Sequence, residues 1–299
     1  MNSCLNTPFK YGDAEIRRVE EMTIRSPIST LTRDERILSD NLEWLAPRFL
    51  NEDGTRDFVF QSWILTIDSK VIVVDPCNGN GRAHPLALFD NLNTPYLERF
   101  EASGIRPQDV DIVFCTHLHH DHCGWSTRLQ NGIYVPTFPK ALYFYVRREY
   151  ERWRHSPQHP GGIDLNIGVF DCSVKPIFDA GLAVVVNDQY RLTRRLTVEA
   201  ATGHTAGHSI LHLNDKDNGT HAIFTGDVFH HPLQMIYPEL CMPGDDDRHA
   251  AVHTRNALVS WCLDHNALVL PAHFPRPYAG YVRKIDGETR FVPLDGDTF

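Results

Sequence analysis

The sequence is poor in the features that mark exported, membrane-spanning or disulfide-stabilised proteins. It contains no run of about 18 apolar residues, so no segment is predicted to cross a bilayer. Its seven cysteines are scattered and never form a Cys-x-x-Cys pair, so neither a disulfide framework nor a cysteine zinc site is predicted. Residues 1–10 lack the basic and then apolar pattern of a secretory signal. We therefore expect a cytoplasmic protein.

Positive charge is also scarce. The chain has 29 Lys and Arg residues against 38 Asp and Glu residues, which gives a formal net charge of -9. Because binding to a phosphate backbone needs clustered Lys and Arg, we expect neither a nucleic-acid partner nor a nuclease activity. The composition is that of an ordinary globular protein, with 42% hydrophobic and 22% charged residues.

Periodicity and turn signals predict strand blocks that alternate with helices, which indicates one α/β layered domain over 1–299. We expect 1–55 to be an irregular N-terminal extension with a short helix at 33–44, which either covers the active site or forms a homodimer contact. β-Branched and aromatic runs at 58–67 and 70–74 flank a two-residue turn and predict a hairpin. The other predicted strands lie at 110–115, 182–186, 196–200, 209–213, 221–224 and 268–270. The other predicted helices lie at 94–102, capped by Thr94, and at 248–265, and one more lies within 139–154.

Histidine is abundant and clustered. The chain has 17 histidines, and the segment after the buried strand at 110–115 has the pattern H-x-H-x-D-H, formed by His117, His119, Asp121 and His122. On an extended backbone, residues two apart point to the same side. We therefore expect His117, His119 and Asp121 to converge, with His122 serving a neighbouring position. That arrangement favours two metal ions over one.

Three more candidate ligands follow predicted strands and lie beside glycine or proline: His204, Asp227 and His273. Strand-end loops are where α/β proteins place functional groups. Seven nitrogen and oxygen ligands without a thiolate favour two divalent ions, Zn²⁺ first, with manganese, iron or cobalt as alternatives.

With these motifs the chain resembles the metallo-β-lactamase-fold superfamily over about 58–274. The resemblance implies an αβ/βα four-layer sandwich with the metals at one edge between two sheets. It implies one metal on His117, His119 and His204 and a second on Asp121, His122 and His273. Asp227 would bridge the two.

Within the superfamily the chain looks most like the dinuclear lactonases, and it also resembles the branch that contains methyl parathion hydrolase, a phosphotriesterase. Many homoserine-lactone lactonases carry a tyrosine three residues after the bridging aspartate, where this chain has His230. The histidine is shared with the phosphotriesterase-like branch. The resemblance therefore leaves two substrate classes open, both of them small neutral organic molecules.

The expected reaction is opening of a lactone, or cleavage of a related carboxylic ester, by a hydroxide that bridges the two metals. Asp121 is the candidate proton donor to the departing alkoxide, and His230 is a candidate to stabilise charge on the carbonyl oxygen. Phosphotriester hydrolysis at the same site is the alternative. A redox protein or a non-catalytic metal-binding protein is the alternative of another class.

Several neighbouring residues have two interpretations. Asp75 is either a partner that orients a metal ligand or a turn aspartate, and the sequence leaves this open. We expect His208 to be a structural, hydrogen-bonded histidine, His120 to face outward or pack, and Cys123 to be a buried neutral thiol. Segment 155–176 is a candidate lid. We expect core packing, more than pocket lining, from the aromatic residues Trp125, Phe138, Tyr143, Phe144, Tyr145 and Trp153.

Overall fold

The computed structural model describes residues 8–155 and 165–294. Within these residues, nine strands come from the first part of the chain. Seven of them form a mixed sheet in the order β1-β2-β3-β4-β5-β8-β9, and β6 and β7 form a separate hairpin. The strands are β1 (Phe9–Tyr11), β2 (Ala14–Pro27), β3 (Thr55–Ile67), β4 (Lys70–Val74), β5 (Ile112–Phe114), β6 (Thr127–Gln130), β7 (Ile133–Pro136), β8 (Leu142–Val146) and β9 (Ala183–Val186).

A second seven-stranded sheet follows in simple chain order from β10 to β16. In this sheet β13 and β14 are parallel, whereas the other neighbouring strands are antiparallel. Its strands are β10 (Gln189–Arg191), β11 (Leu196–Ala200), β12 (Ser209–Asp215), β13 (Thr220–Gly226), β14 (Leu268–Pro271), β15 (Gly280–Ile285) and β16 (Glu288–Pro293).

The two sheets pack against each other, and helices cover their outer faces. Because side chains alternate across a strand, Trp63 and Leu65 of β3 enter the core between the sheets, while Ile64 faces the outer layer. The αβ/βα four-layer sandwich implied by the resemblance is confirmed. The helices are α1 (Glu35–Leu45), α2 (Tyr96–Ala102), α3 (His120–Cys123), α4 (Arg147–His155), α5 (Lys175–Asp179), α6 (Leu233–Ile236) and α7 (Arg248–His265).

The expectation of an irregular N-terminal segment is wrong, because β2 is a 14-residue strand that pairs with β3 along its length. The usual strand signal, an alternation of apolar and polar residues, is missing from the sequence of β2, because two of its buried residues, Arg18 and Glu21, are charged. The predicted helix at 33–44 is confirmed as α1, which Asp34 caps by accepting a hydrogen bond from Arg36 N.

Two other predicted elements need correction. The segment 139–154 contains the predicted helix as α4, but its aromatic run at 142–146 is a buried strand, β8, that is parallel to β5 and β9. Thr94 does not cap α2, which begins at Tyr96. The Thr94 hydroxyl donates instead to Glu21 Oε1 at 3.2 Å.

Two further findings on the described residues concern cysteine pairing and membrane-spanning helices. The six cysteines among them are all unpaired. None of the helices within 8–155 and 165–294 combines the length and the apolar character needed to cross a bilayer.

Candidate metal centre

Loops at one edge of the sandwich bring all seven predicted ligands together. The H-x-H-x-D-H segment follows β5, and His204 lies between β11 and β12. Asp227 follows β13, and His273 follows β14. Since β11, β13 and β14 run in the same direction, their carboxyl ends meet at the same edge of the second sheet. Topology, not sequence proximity, therefore assembles the site.

One donor group consists of His117, His119, His204 and Asp227, whose ligand atoms all lie within 4.8 Å of one another. His117 Nε2 and His204 Nε2 each lie 3.0 Å from His119 Nδ1. Asp227 Oδ2 is 3.3 Å from His204 Nε2 and 3.9 Å from His117 Nε2. Burial lowers the pKa of His117 and His119 well below the ordinary value, so both imidazoles are neutral and able to act as ligands.

The second donor group consists of Asp121, His122 and His273. Their ligand atoms are 3.3 to 3.7 Å apart, and the other oxygen of Asp227, Oδ1, lies 3.1 Å from His122 Nε2 and 2.9 Å from His273 Nε2. Asp227 thus faces both groups with different oxygens. The expected convergence of Asp121 with His117 and His119 is wrong, because helix α3 begins at His120 and ends the alternation.

Hydrogen bonds to the outer ring nitrogens orient the two histidines of the second group. His122 Nδ1 is 2.9 Å from Asp75 Oδ2, and His273 Nδ1 is 2.8 Å from the carbonyl oxygen of Val59. Both partners are acceptors, so each Nδ1 donates a proton outward and each Nε2 faces the other members of the group. A tetrahedral ion bound at 2.0–2.1 Å separates its ligands by about 3.3 Å, close to the spacing seen here.

A buried acceptor without a hydrogen-bond donor also indicates a bound cation. Asp227 Oδ1 is fully buried and accepts no hydrogen bond of good geometry within the described residues. Such an atom is costly unless a cation satisfies it. The donor types, their spacing and this oxygen fit divalent metal binding.

Asp75 contacts a ligand directly, which decides between its two interpretations. Its Oδ2 accepts from His122 Nδ1 and, at 2.8 Å, from the hydroxyl of Thr116; its Oδ1 accepts from Thr116 N at 2.7 Å. It follows β4 with a positive φ of 52°, which turns the carboxylate toward the neighbouring strand end. Asp75 therefore fixes the tautomer and orientation of His122.

Asp245 has the same role for His204, and sequence analysis missed it. Its Oδ1 lies 2.9 Å from His204 Nδ1, while its Oδ2 accepts from Arg255 Nη2 at 2.7 Å. Burial alone would raise the pKa of Asp245, but the hydrogen bond and charge of His204, with further charges nearby, hold it well below its usual range. The only local signal was a run of three aspartates just before α7.

His208 and His230 both contact Asp227. His208 Nε2 accepts from Asp227 N at 3.0 Å, which is the structural role expected of it. His230 Nε2 is 3.0 Å from Asp227 Oδ2. Because a carboxylate only accepts, His230 Nε2 must carry the proton. Burial lowers the pKa of His230 to about 4, so its ring is neutral and this N–H is its single donor.

Glu149 of α4 joins two ligand-bearing loops, and it too was missed. It is fully buried and accepts hydrogen bonds from Leu118 N (2.9 Å), Thr205 Oγ1 (2.7 Å), Gly207 N (3.1 Å) and Trp153 Nε1 (2.6 Å). Burial raises the pKa of this carboxyl, which the four donors oppose.

We expect Glu149→Ala to lower the free energy of unfolding by about 3 kcal/mol, because it leaves two buried backbone N–H groups without an acceptor. Urea denaturation measures the change. Glu151→Ala on the same helix is the matched control: it removes only the ion pair with His155 and should cost less than about 0.5 kcal/mol. Equal losses in the two variants would show that Glu149 does not support the loops.

Aromatic rings line one side of the second donor group. Phe58 stacks on His273 with ring centroids 4.2 Å apart, and Phe60 meets His273 edge-on at 5.4 Å. Phe89 extends this wall, since its ring is 5.4 Å from Phe60 and 4.9 Å from His120. These three rings were not singled out from the sequence. All six aromatic residues that were singled out are buried in the core, as expected.

The remaining expectations concern His120, Cys123 and the candidate lid. His120 packs beside Phe89, with Nδ1 2.9 Å from Asn78 Oδ1. Burial raises the pKa of the Cys123 thiol, which is neutral as expected. Residues 156–164 of the candidate lid lie outside the described part. Asn166, just after them, donates to Leu118 O at 2.8 Å and so contacts the ligand loop.

Solved structures with the same fold include several hydrolases. The chain is 23% identical to the hydrolase AbOPH of the beta lactamase superfamily, with a TM-score of 0.78 and 97% of each chain covered. It is 19% identical to AidC, a dizinc quorum-quenching lactonase, with a TM-score of 0.76 and 97% of each chain covered. A probable metal-dependent hydrolase from Staphylococcus aureus is 17% identical, with a TM-score of 0.74 over 96% of this chain and 99% of that one. At these identities the likeness establishes the fold.

Family membership rests on the sequence match. No curated protein matches the chain, but residues 56–285 match the family model of the metallo-beta-lactamase superfamily. The matched range is well over half of the chain and contains all seven residues of the two donor groups. The chain therefore belongs to the metallo-beta-lactamase superfamily, as its motifs indicated.

Proposed function

We propose that the chain is a metal-dependent hydrolase that opens a lactone or cleaves a related carboxylic ester. The observation that supports this most is the position of Asp227, whose two buried carboxylate oxygens face two separate groups of imidazole and carboxylate ligands. A pair of divalent ions in such a site supplies Lewis acidity and lowers the pKa of a shared water toward neutrality.

The ligand assignment follows the two donor groups. His117, His119 and His204 would hold one ion, and Asp121, His122 and His273 the other, with Asp227 shared between them. Imidazoles and carboxylates without a thiolate favour Zn²⁺, and manganese, iron or cobalt fit the same donors. Asp75 and Asp245 accept hydrogen bonds from the outer ring nitrogens of His122 and His204, and so orient these two rings.

Asp121 is the proposed proton donor to the leaving alkoxide oxygen. Its side chain is 12% exposed, against 5% for Asp227, so it is the carboxylate of the site that a substrate reaches more readily. His230 receives a different role from the one the sequence suggested. Its one N–H is committed to Asp227, so we assign His230 to holding that carboxylate in place and not to the carbonyl oxygen of the substrate.

The aromatic wall supports a neutral substrate with an apolar part. Phe58 and Phe89, both partly exposed, lie beside His273 and His120, where an acyl or aryl substituent of a lactone or ester would pack next to the reacting carbonyl. His230, three residues after Asp227, favours phosphotriester hydrolysis as the second candidate, since the phosphotriesterase-like branch shares that residue. Both reactions use the same activated water.

A substrate panel tests the proposal. Metal-loaded protein is assayed on homoserine lactones, aryl lactones, aryl esters and a dialkyl aryl phosphotriester, with and without a chelator. We expect lactones or aryl esters to give a kcat/KM at least about tenfold above the phosphotriester, and chelator to abolish hydrolysis. Chelator-resistant hydrolysis, or bound iron with visible absorbance and no hydrolysis, would contradict the proposal, and the second result would favour a redox protein.

A further inference from the structure

His120 lies between the aromatic wall and the second donor group. Its side chain is 12% exposed, and its Nε2 is 3.9 Å from Asp121 Oδ1. The other oxygen of Asp121, Oδ2, belongs to the second donor group and lies 3.6 Å from His273 Nε2. The ring of Phe89 is 4.9 Å from the ring of His120 on the other side. A molecule whose carbonyl lies at the second donor group and whose apolar part lies along Phe89 therefore passes His120 Nε2.

A chain of hydrogen bonds fixes which ring nitrogen of His120 carries the proton. Asn78 Nδ2 donates to the buried carboxylate of Glu21, at 2.8 Å from Oε2, so the other polar atom of the Asn78 side chain is its carbonyl oxygen. That oxygen lies 2.9 Å from His120 Nδ1. Because an amide oxygen only accepts, Nδ1 must donate. At about pH 8, above the ordinary pKa of an imidazole, the ring is neutral and Nε2 presents a lone pair.

This lone pair is free and accessible. His120 Nε2 has no hydrogen-bond partner within 8–155 and 165–294 and is not fully buried, so a ligand can reach it. The neighbouring ring of His84, 4.5 Å away, does not occupy it. Both nitrogens of His84 are used, since Nδ1 accepts from Leu86 N at 3.1 Å and Nε2 donates to Leu165 O at 2.9 Å. An open acceptor beside the carboxylate of Asp121 favours a group that donates a hydrogen bond.

We propose that His120 is a specificity-determining residue, whose Nε2 accepts a hydrogen bond from an N–H or O–H group that the substrate carries beside its scissile carbonyl. The proposal rests on the proposed function and narrows its substrate class to lactones or esters with such a donor on the carbon next to the carbonyl. An analogue without the donor is disfavoured, because it removes water from the acceptor and gives no hydrogen bond in return.

Two cyclopentanones, which cannot be hydrolysed, test the role of His120 separately from turnover. One carries an acylamino group on the carbon next to the ring carbonyl, and the other has CH₂ in place of that N–H. Their Kd values for the zinc-loaded full-length protein are measured by calorimetry at the same pH. We expect the wild type to bind the N–H compound about tenfold more tightly. The matched control His253→Phe, at an exposed position of α7, should show the same preference.

Two substitutions of His120 separate recognition from packing. His120→Phe keeps a ring against Phe89 but removes the acceptor, so the preference should fall to about twofold or less. His120→Gln places an amide oxygen close to the position of Nε2 and should restore part of the preference, which a purely structural role would not do.

The outcomes distinguish this role from the proposed function. A wild type that prefers the N–H compound but hydrolyses none of the lactones and esters would contradict the proposed function alone. The absence of a preference in the wild type, or a preference that His120→Phe retains in full, would overturn the proposal and leave His120 as a packing residue.

Discussion

Asp227→Ala is expected to release bound metal and to reduce turnover about a thousandfold or more. Asp227 faces both donor groups, with Oδ2 3.3 Å from His204 Nε2 and Oδ1 2.9 Å from His273 Nε2. Without it, the two groups of imidazoles lose the negative charge that they share. Metal catalysis of this kind supplies several kcal/mol of transition-state stabilisation, which corresponds to a loss of that size.

Metal content and steady-state hydrolysis are measured together on the same preparation. Asp40→Ala, at an exposed position of α1, is the matched control and should retain both metal and activity. Because Asp227 accepts hydrogen bonds from His230, circular dichroism is needed to show that the variant is folded. A folded Asp227→Ala protein with wild-type metal content or turnover would remove the basis of the ligand assignment.

The residues of the two donor groups could be singled out from the sequence because their signal is local. H-x-H-x-D-H lies within six consecutive residues, and His204, Asp227 and His273 each follow a strand that periodicity reveals. The alternation rule wrongly grouped Asp121 with His117 and His119, because the extended chain at 117–119 is followed directly by helix α3. A short-range rule therefore finds residues that the fold brings together, and it still misplaces a side chain where the backbone passes from extended to helical.

The residues that hold the ligands could not be predicted, because their partners are distant in sequence. Glu149 accepts from Thr205 and Gly207, more than 50 residues away, and Asp245 reaches His204 across 41 residues. Glu21 contacts none of the seven residues of the donor groups but has the same kind of distant partners: it is buried and accepts from Asn78 N at 2.7 Å and Trp125 Nε1 at 2.6 Å. Nothing in the sequence distinguishes these carboxylates from the many that are exposed to solvent. Only the packing of the two sheets shows them to be buried acceptors.

Strand β2 could not be predicted from the sequence for the same reason, namely that its buried charged residues have distant partners. Burial of Arg18 and Glu21 on this strand is sustained by partners on other elements, such as Gln61 for Arg18 at 2.9 Å. Patterning rules treat a charged residue as solvent-facing, so a strand whose inner positions carry paired charges gives no alternating signal. The hairpin at 58–74, which has apolar inner positions, was predicted from the same rules and is confirmed.

Asp245→Ala is expected to weaken metal binding about 10- to 100-fold and to lower kcat, although Asp245 touches no substrate. Asp245 fixes the His204 ring by accepting from Nδ1, and Arg255 holds Asp245 in turn. The same substitution leaves the buried Arg255 without its carboxylate, which costs about 3 kcal/mol or more of stability. Metal loss and destabilisation are therefore both expected, and they must be separated.

Metal loss is separated from destabilisation by measuring metal release at a temperature well below the unfolding transition. Chelator is added at a temperature where circular dichroism shows the variant to be folded, and the release rate is compared with that of Asp264→Ala, an exposed aspartate on α7 that makes the same charge change. With Co²⁺ as the bound ion, the visible spectrum reports the geometry around His204 directly. If Asp245→Ala is less stable but holds metal as tightly as Asp264→Ala and gives the wild-type Co²⁺ spectrum, Asp245 supports the fold alone and His204 needs no orienting partner.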